Sequence, residues 1–493
     1  MIKFGNIKVP IFLNKWIQLE DSMLLLDKNS KIPLYMQIYH YYQEKIVSGN
    51  MEAGMQLPST RALAKNMNVS RNTVESAYQQ LYSEGYVSGK QGSGYIVERF
   101  ETDIKAHFQE LRKEINEPLT KQFHEQGICS IKNYNFQYGR LNVSDFPLRT
   151  WKKLLNQTLF SDEIGCLTAY NNRTGEEELR IEIQKYLRES RGVKCHPDQI
   201  ILGSATLACI SLICQILMKK INNLAIEEPT YDSARDVFTN HGFNVILNPV
   251  QEDGIDIDFL KKTEAKAVFI TPSHQFPTGA VMPINKRLNL IEWAQENDAY
   301  IIEDDYDSEL RYNSRPLPCI QSLDTTGRVI YINSFSKAFA PGLRMGFVVL
   351  PPALLETYQA YFSRYNCSVP WLEQKAMYEF MSQGHWTRHL RKVTNINKKK
   401  HDILINTINE IMREKVIIHG RNAGLHILLE VLNGMKENEL IEKAAVVGVK
   451  VYPVNIYWGN KDNYCYNMVL MGFSGLSEIE IVEGIHLLYK AWF

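Results

Sequence analysis

The hydrophobic pattern of the first hundred residues predicts three short helices followed by a hairpin. In the first helix apolar residues recur every four positions, at Leu34, Ile38, Tyr42 and Ile46. Ser59 and Ser70 are placed as N-caps of the next two helices, with Asn66–Val69 as the turn between them. The third helix has its apolar face at Val74, Ala77, Tyr78 and Leu81. Tyr86–Val87 and Tyr95–Val97 then predict two strands joined by a glycine-rich turn.

Over residues 136–493, short apolar runs alternate with helical stretches, which predicts an α/β fold with a mostly parallel sheet. The strand-like runs are Ile200–Leu202, Leu224–Ile226, Ala267–Ile270, Tyr300–Ile302 and Val329–Ile332. The stretch 100–135 is charged, and we interpret it as a linker, with a helical piece at 104–115 or a docked helix as the alternative. We therefore expect a leader over residues 1–30, a small domain over 31–99, this linker, and a large domain from residue 136.

The composition is that of an ordinary globular protein. Of 493 residues, 45% are hydrophobic and 22% are charged, and 55 basic side chains balance 55 acidic ones. A nucleic-acid partner must therefore be argued from local charge. Eight cysteines form no Cys-x-x-Cys pair and no zinc-type cluster, and no stretch reaches membrane-spanning length. We expect a cytoplasmic protein with reduced thiols, no metal site and no membrane partner.

The turn between the second and third helices has the spacing and charge of a DNA-reading motif. From Ala53 to Val74 there is no acidic residue, while Arg61, Lys65 and Arg71 are basic. A recognition helix presents its N-terminal residues to the major groove. Here those residues are Ser70, Arg71, Asn72 and Thr73. The alternative is a helical hairpin used for protein contacts.

Residues 33–98 resemble the winged helix-turn-helix of GntR-type bacterial regulators. The resemblance is carried by Leu57–Ser59, Val69–Val74, Glu84–Tyr86 and the Gly92–Gly94 wing. It implies that this domain binds double-stranded operator DNA. The residues that it implies for DNA contact are Arg61, Ser70, Arg71, Asn72, Thr73, Gln91 and Gly92.

A lysine with phosphate-binding neighbours follows the strand-like run Val329–Ile332. Lys337 lies in the next loop, flanked by the hydroxyls of Ser334 and Ser336, and Arg344 comes shortly after. Such a set suits a phosphate next to an aldehyde with which the amine can condense. In open α/β sheets, ligands bind at the carboxyl ends of the strands. The alternative is a surface loop with an ordinary lysine.

The loops after the other strands supply what pyridoxal phosphate requires of a protein. Asp304 ends an apolar strand and suits the ring nitrogen, and Tyr306 lies on the same side, suited to the phenolic oxygen. Tyr231 can stack on the ring, and Gly203–Thr206 opens a helix whose N–H groups suit the phosphate. Each residue singly has a structural alternative. Together Gly203–Thr206, Tyr231, Asp304, Tyr306 and Lys337 follow one another along the chain, each at or after the end of a strand, and this set favours the cofactor.

Residues 136–493 resemble the fold-type I aminotransferases. The whole chain resembles the MocR/GabR-type regulators, in which a winged helix-turn-helix is fused to an aminotransferase-like domain. The matching motifs are Tyr170–Gly175, Arg191–Cys195, Thr271–Gly279, Ile301–Glu309, Ser334–Arg344 and Asn422–His426.

The resemblance implies a role for each residue of this set. Lys337 would hold the cofactor as an internal aldimine. Asp304 would meet the ring nitrogen, Tyr306 the phenolic oxygen and Tyr231 the ring face. The phosphate site would consist of Ala205, Thr206, Ser334, Ser336 and Arg344. A head-to-tail homodimer is also implied, with Tyr170 reaching the partner's phosphate.

The chain departs from working aminotransferases where they grip a substrate carboxylate with arginine. Leu470 stands at the place of the C-terminal arginine, and Ile456 and Ser233 stand where the GABA-responsive relative has its own. Candidate replacements for that grip are Arg421, Arg173 and His426. We therefore expect a transcriptional regulator in which a small amine or amino acid forms an external aldimine at Lys337. The alternatives are an active aminotransferase with a DNA-binding appendage and a regulator that senses pyridoxal phosphate itself.

Overall fold

The computed structural model describes residues 26–27, 30, 32–90, 94–99, 134–312, 318–464 and 466–493. The chain divides into two compact units, Met1–Ile128 and Cys129–Phe493. Most of the predicted leader, the helical piece at 104–115, and the wing residues Gln91 and Gly92 lie outside the described residues. Within the described ranges, every helix is too short or too polar to cross a membrane.

The first unit contains the three helices and the hairpin that the sequence predicts. They are α1 (Leu34–Val47), α2 (Thr60–Met67), α3 (Arg71–Ser83), β1 (Val87–Lys90) and β2 (Gly94–Val97). The two strands pair antiparallel, with Val87 opposite Val97. The predicted apolar positions meet in one core, whose fully buried members include Ile38, Val74, Tyr78 and Leu81.

Two serine side chains cap the helices on either side of the turn between α2 and α3. Ser59 Oγ accepts a hydrogen bond from Ala62 N at 3.2 Å, and Ser70 Oγ accepts one from Thr73 N at 3.1 Å. Asn68 ends α2 in the left-handed conformation, with φ 52°. Each cap contributes about 1 kcal/mol to helix stability. Both predicted caps are confirmed, and the first turn of α3 is left exposed to solvent.

The second unit combines a large sheet, two small sheets and twelve described helices. Its strands are β3 (Tyr134–Asn135), β4 (Ile200–Gly203), β5 (Asn223–Glu228), β6 (Asn244–Gln251), β7 (Gly254–Ile255), β8 (Ala267–Ile270), β9 (Tyr300–Asp304), β10 (Val329–Ser334), β11 (Gly346–Val349), β12 (Val416–His419), β13 (His426–Val431), β14 (Val449–Lys450) and β15 (Met468–Gly472). Its helices are α4 (Leu148–Leu159), α5 (Glu177–Arg191), α6 (Thr206–Leu217), α7 (Asp232–Asn240), α8 (Ile257–Leu260), α9 (Ile284–Glu296), α10 (Ile320–Leu323), α11 (Pro352–Tyr361), α12 (Trp371–Ser382), α13 (His385–Ile411), α14 (Glu437–Val446) and α15 (Glu478–Trp492).

The large sheet has the strand order β4-β11-β10-β9-β8-β5-β6-β7. Strands β10, β9, β8, β5 and β6 run parallel to their neighbours in that series, whereas β11 is antiparallel to both of its neighbours. Ile301 and Ile302 of β9 enter different hydrophobic cores, one with Trp293 of α9 and one with Ile210 of α6. Helices therefore cover both faces, and the predicted mostly parallel α/β sheet is confirmed. The carboxyl ends of its parallel strands share one edge.

The C-terminal part of the second unit is a three-stranded antiparallel sheet, β12-β13-β15, packed on α13 and α15. The short strand β3 pairs in parallel with β14, and Tyr134 lies opposite Val449. Tyr134 and Asn135 fall inside the stretch 100–135 that we predicted as a linker. The folded domain thus begins at least two residues earlier than predicted, because a two-residue strand has no periodicity for sequence reasoning to detect.

Candidate functional site

Lys337 lies in the loop after β10, at the shared edge of the sheet. Its Nζ is 3.9 Å from the centroid of the Tyr138 ring, and a Cβ built on Gly139 would lie 3.0 Å from the same nitrogen. Burial lowers the pKa of Lys337 to about 8, although the carboxylates of Asp307 and Asp304 raise it. Near neutral pH, a larger share of this amine is therefore unprotonated than in an exposed lysine, and only the unprotonated amine is a nucleophile.

Asp304 is the last residue of β9, and its side chain is 4% exposed. Its Oδ1 has no hydrogen-bond partner among the described residues. Burial first, and then the charges of Asp305 and Asp307, raise the pKa of Asp304 to about 8, while Lys337 lowers it. The site thus contains a buried acceptor without a donor, which a cationic N–H group would satisfy.

The neighbouring Asp305 is held by a buried ion pair. Arg191 Nε donates to its Oδ2 at 2.7 Å, Arg191 Nη2 donates to its Oδ1 at 2.9 Å, and the Tyr331 hydroxyl donates to Oδ2 at 2.7 Å. Burial raises the pKa of Asp305, but the Arg191 guanidinium outweighs it and holds the pKa below its usual value. These contacts fix the end of β9, which carries Asp304.

Tyr306 belongs to a network that sequence reasoning did not find. Its hydroxyl donates to the carbonyl oxygen of His274 at 2.8 Å and lies 3.1 Å from His274 Nδ1. His274 Nδ1 in turn lies 2.8 Å from Asp307 Oδ2, so its N–H donates to that carboxylate. His274 Nε2 has no partner within the described residues. His274 lies in the Thr271–Gly279 motif, but its position beside Tyr306 follows only from the fold.

Three strand ends meet at the predicted phosphate site. Ser334 of β10 pairs with Gly346 of β11, and Gly346 pairs with Gly203 of β4. Ala205 then starts α6 with φ 69°, and a Cβ on Gly346 would come within 3.1 Å of its Cα. The chain segments thus approach closely at the N-terminus of a twelve-residue helix, where backbone N–H groups favour an anion.

The remaining predicted phosphate ligands differ in exposure. Ser334 is buried, Ser336 is half-buried and Arg344 is exposed, with its Nη2 3.4 Å from the carbonyl oxygen of Ser204. Tyr170 is 89% exposed in the single chain, so its reach to a partner's phosphate stays a prediction.

An aromatic cluster lies beside Lys337. We use this name for Tyr138, Tyr231, Phe276, Tyr306, His426, Tyr457 and Leu470. Phe276 is its centre, with ring centroids 4.8 Å from Tyr457, 5.1 Å from His426 and 5.3 Å from Tyr138.

The aromatic cluster contains one of the three positions at which this chain lacks a carboxylate-binding arginine of its relatives. Leu470 is 1% exposed within the cluster, whereas Ile456 is 42% exposed and Ser233 is half-buried. Of the three candidate replacements for the grip, His426 lies in the cluster. Arg173 and Arg421 are exposed and donate to the backbone carbonyls of Ser363 and Ile418.

The predicted DNA-binding side chains lie at the exposed start of α3 and on α2. Arg61, Arg71 and Asn72 are exposed. Arg71 Nε lies 3.8 Å from Glu75 Oε2 in an open i, i+4 pair. The hydroxyls of Ser70 and Thr73 lie 2.8 Å apart, and Ser70 Oγ also accepts a hydrogen bond from the backbone N–H of Thr73 in the helix cap.

Two family models match the chain, and together they span both units. "Bacterial regulatory proteins, gntR family" matches residues 34–97, and "Aminotransferase class I and II" matches residues 135–457. The chain is 38% identical to an uncharacterized HTH-type transcriptional regulator, YdeL of Bacillus subtilis (strain 168), over 96% of this chain and 99% of the relative. It is 30% identical to the probable rhizopine catabolism regulatory protein MocR of Rhizobium meliloti, over 95% of this chain and 96% of the relative.

Solved structures give the same fold. An archaeal alanine:glyoxylate aminotransferase matches with a TM-score of 0.67 at 21% identity, covering 83% of this chain and 98% of that chain. At this identity the likeness establishes the aminotransferase fold.

The second unit fits pyridoxal phosphate, the cofactor of aminotransferase class I and II domains. Asp304 offers an unpartnered buried carboxyl oxygen, the half-buried Lys337 offers an amine whose pKa is lowered, and the start of α6 offers backbone donors for a phosphate. A GntR-type DNA-binding unit and a pyridoxal-phosphate-binding aminotransferase domain thus occur in one chain, which belongs to the MocR-type transcriptional regulators.

Proposed function

We propose that this chain regulates transcription in response to a small primary amine that it senses at Lys337. The observation that carries the proposal is the state of that lysine. It is a half-buried residue whose amine has a pKa lowered by burial to about 8, beside a carboxyl group with an unpartnered oxygen, in a chain whose recognition helix has an exposed start. Such an amine is suited to reversible condensation with an aldehyde, and the recognition helix would transmit the response to DNA.

Pyridoxal phosphate supplies an aldehyde carbon with which a primary amine condenses. We assign Lys337 as the amine that occupies this carbon in the resting protein. Asp304 would hold the ring nitrogen protonated, because a cationic N–H would satisfy its free oxygen. The hydroxyl of Tyr306, fixed by His274, would face the phenolic oxygen, and the half-buried Tyr231 would cover the ring. The assigned phosphate ligands are Ala205, Thr206, Ser334, Ser336 and Arg344.

An incoming amine would release Lys337, and the released side chain carries the signal. Its ammonium form must be accommodated beside the Tyr138 ring, where the charges of Asp307 and Asp304 favour it. An effector changes DNA binding only if it has different affinities for two arrangements of the protein. We propose that the bound and released states of Lys337 favour different arrangements of the DNA-binding units.

We further propose that the chain acts on double-stranded operator DNA as a head-to-tail homodimer in the cytoplasm. Large apolar side chains are exposed between residues 143 and 170, among them Val143, Leu148, Phe160, Leu167 and Tyr170. A concentration of exposed large apolar side chains in one stretch of the chain favours an interface there. Sedimentation equilibrium tests this directly, since a monomer at micromolar concentration would contradict it.

A combined titration tests the proposed sensing. Full-length protein loaded with pyridoxal phosphate is titrated with primary amines while the visible absorbance of the cofactor and the anisotropy of a labelled operator are recorded together. The operator is selected beforehand from random DNA by the same protein. We expect both signals to change at the same amine concentration. Lys337→Ala removes the amine that is displaced, so the change in operator anisotropy should be lost even though added amines still react with the bound aldehyde, whereas the exposed Lys392→Ala should retain both changes.

The same assay separates two other functions. If removal of the cofactor alone changes DNA affinity and amines have no further effect, the chain senses pyridoxal phosphate itself. The pair of Lys337 with nearby carboxylates also favours a half-reaction of transamination, since these groups can hold and move a proton. Sustained keto-acid production under multiple turnover with a keto-acid acceptor would identify an active aminotransferase.

A further inference from the structure

We infer that the effector is a primary amine on an apolar or aromatic body that carries no carboxylate. This inference rests on the proposed sensing at Lys337 and names the chemical class of the molecule sensed there. It follows from the aromatic cluster, which lies where the body of an amine bound near Lys337 would be in contact with the protein.

Tyr138 connects the reactive lysine to the aromatic cluster. One contact of its ring is Lys337 Nζ, 3.9 Å from the ring centroid. The same ring lies 4.7 Å from the His426 ring and 5.3 Å from the Phe276 ring, centroid to centroid. When an amine takes the place of Lys337, its substituent would therefore contact the Tyr138 ring and, next to it, the rings of His426 and Phe276.

The members of the cluster have neither an ammonium nor a guanidinium group. Leu470 and Phe276 are 1% and 4% exposed, and both pack with Leu428 and Val454, which are equally apolar. A carboxylate placed against these side chains would lose its hydration and find no cationic partner among them, which is strongly unfavourable. An apolar body would gain the hydrophobic contribution of the same surface.

Arg235 reaches the rim of the cluster, and its guanidinium is already engaged. Its Nη2 donates to the Ile456 carbonyl at 3.0 Å and its Nη1 to the Tyr457 carbonyl at 3.4 Å. A Cβ on Gly459 would lie 3.2 Å from Nη1, so the backbone encloses this group on another side. To bind a carboxylate, Arg235 would first have to give up its hydrogen bonds to these two carbonyl oxygens.

His426 disfavours a carboxylate for a second reason. Its Nε2 lies 3.1 Å from the carbonyl oxygen of Pro277, so the proton is on Nε2 and donates to that oxygen. Burial, followed by the charges of His274 and Lys337, lowers the pKa of His426 well below its usual value, which keeps the ring neutral. Nδ1 is then a lone-pair acceptor with no partner among the described residues. An acceptor repels carboxylate oxygens and complements a neutral donor.

Three matched pairs test the inference, each consisting of an amino acid and the amine that lacks its carboxylate. They are tyrosine and tyramine, phenylalanine and phenethylamine, and leucine and isoamylamine. Each is titrated into the full-length cofactor-loaded chain, and displacement of Lys337 is followed by the visible absorbance, with free pyridoxal phosphate as the chemical control. We expect each amine to act at a concentration at least tenfold lower than its amino acid.

Two results would contradict us in distinguishable ways. Amino acids that act as well as or better than their amines overturn the inference and leave the sensing at Lys337 intact, and Arg235→Ala then shows whether that side chain provides the grip. If none of the six compounds acts below the concentration at which it reacts with free cofactor, the proposed sensing fails.

An arginine at position 470 provides the reciprocal test. Leu470→Arg should improve the response to tyrosine and weaken that to tyramine, each by about tenfold. Leu432→Arg, at a position 49% exposed just after β13, is the matched control and should change neither. If Leu470→Arg does not fold, as judged by circular dichroism, the wild-type pairs still decide the question.

Discussion

The amine of Lys337 faces the ring of Tyr138, with Nζ 3.9 Å from the ring centroid. The ring's negative face attracts an ammonium group, whereas burial favours the neutral amine and lowers the pKa of Lys337 to about 8. The two effects oppose each other at one nitrogen, which is therefore poised between its protonated and nucleophilic forms near neutral pH. Tyr138 is also the member of the aromatic cluster that an incoming amine would contact first.

Substitution of Gly139 should disturb this nitrogen directly. A Cβ at Gly139, where φ is +79°, would lie 3.0 Å from Lys337 Nζ. Gly139→Ala should weaken pyridoxal phosphate binding by about tenfold or more, roughly 1.4 kcal/mol, because the amine must move. Gly434→Ala is the matched control, since its φ is +81° and no atom lies within 4 Å of its Cβ. Both should lose about 1 kcal/mol of stability from the backbone alone, and equal cofactor affinities of the two variants would refute the contact.

Asp304 should make the stability of the cofactor-free protein depend on pH. Its pKa is raised in the folded state to about 8, so the folded protein holds a proton that the unfolded chain releases near pH 4. Its contribution is therefore complete at low pH and is lost as the pH rises from about 4 to about 8. The free energy of unfolding of wild type minus that of Asp304→Asn should fall across this window by up to roughly 5 kcal/mol. Urea unfolding at a series of pH values measures this difference in free energy. A difference that does not change with pH would show that folding does not raise the pKa of Asp304.

The buried pair of Arg191 and Asp305 should be costly to break. Both side chains are almost completely inaccessible, and Arg191→Met would leave the Asp305 carboxylate uncompensated. We expect a loss of about 3–5 kcal/mol in the free energy of unfolding. Arg188→Met removes the same charge from the exposed side of the same helix and should cost less than about 0.5 kcal/mol. Comparable losses in both variants would contradict the structural role of the pair.

DNA binding should depend on Arg71 through its charge. Arg71 is exposed at the start of α3 and only loosely paired with Glu75 at 3.8 Å. Arg71→Ala should weaken operator binding and reduce the slope of log affinity against log salt by about one, because one phosphate or base contact is lost. Glu75→Gln should act in the opposite direction. The exposed Arg188→Ala of the second unit is the charge-matched control, and an equal loss there would argue against the recognition helix.

Sequence reasoning located the residues that directly follow strands. Asp304 and Ser334 end their strands and Lys337 lies in the loop that follows Ser334, and parallel pairing brings such strand ends to one edge. Strand periodicity was enough to place them together. The capped turn before α3 was equally accessible, because Ser70 and its cap are local in sequence.

The rest of the site depends on packing between distant segments. Tyr138 and His426 lie far apart in the chain, yet the centroids of their rings are 4.7 Å apart. Aromatic residues at such positions look like ordinary core residues until the fold brings them to the lysine. The hydrogen bond between His274 and Asp307 could not be predicted either, because the two residues lie on different segments and their separation in sequence indicates no contact.

The most direct test of the account is thermodynamic reciprocity between amine and operator. An active amine is titrated into the cofactor-loaded full-length protein, with the visible absorbance as the readout, once without DNA and once with saturating operator. If displacement of Lys337 is coupled to DNA binding, the operator must shift the amine's midpoint by the same factor by which the amine shifts operator affinity, typically 5- to 150-fold. Identical midpoints with and without operator would show that the Lys337 site and the DNA-binding unit act independently.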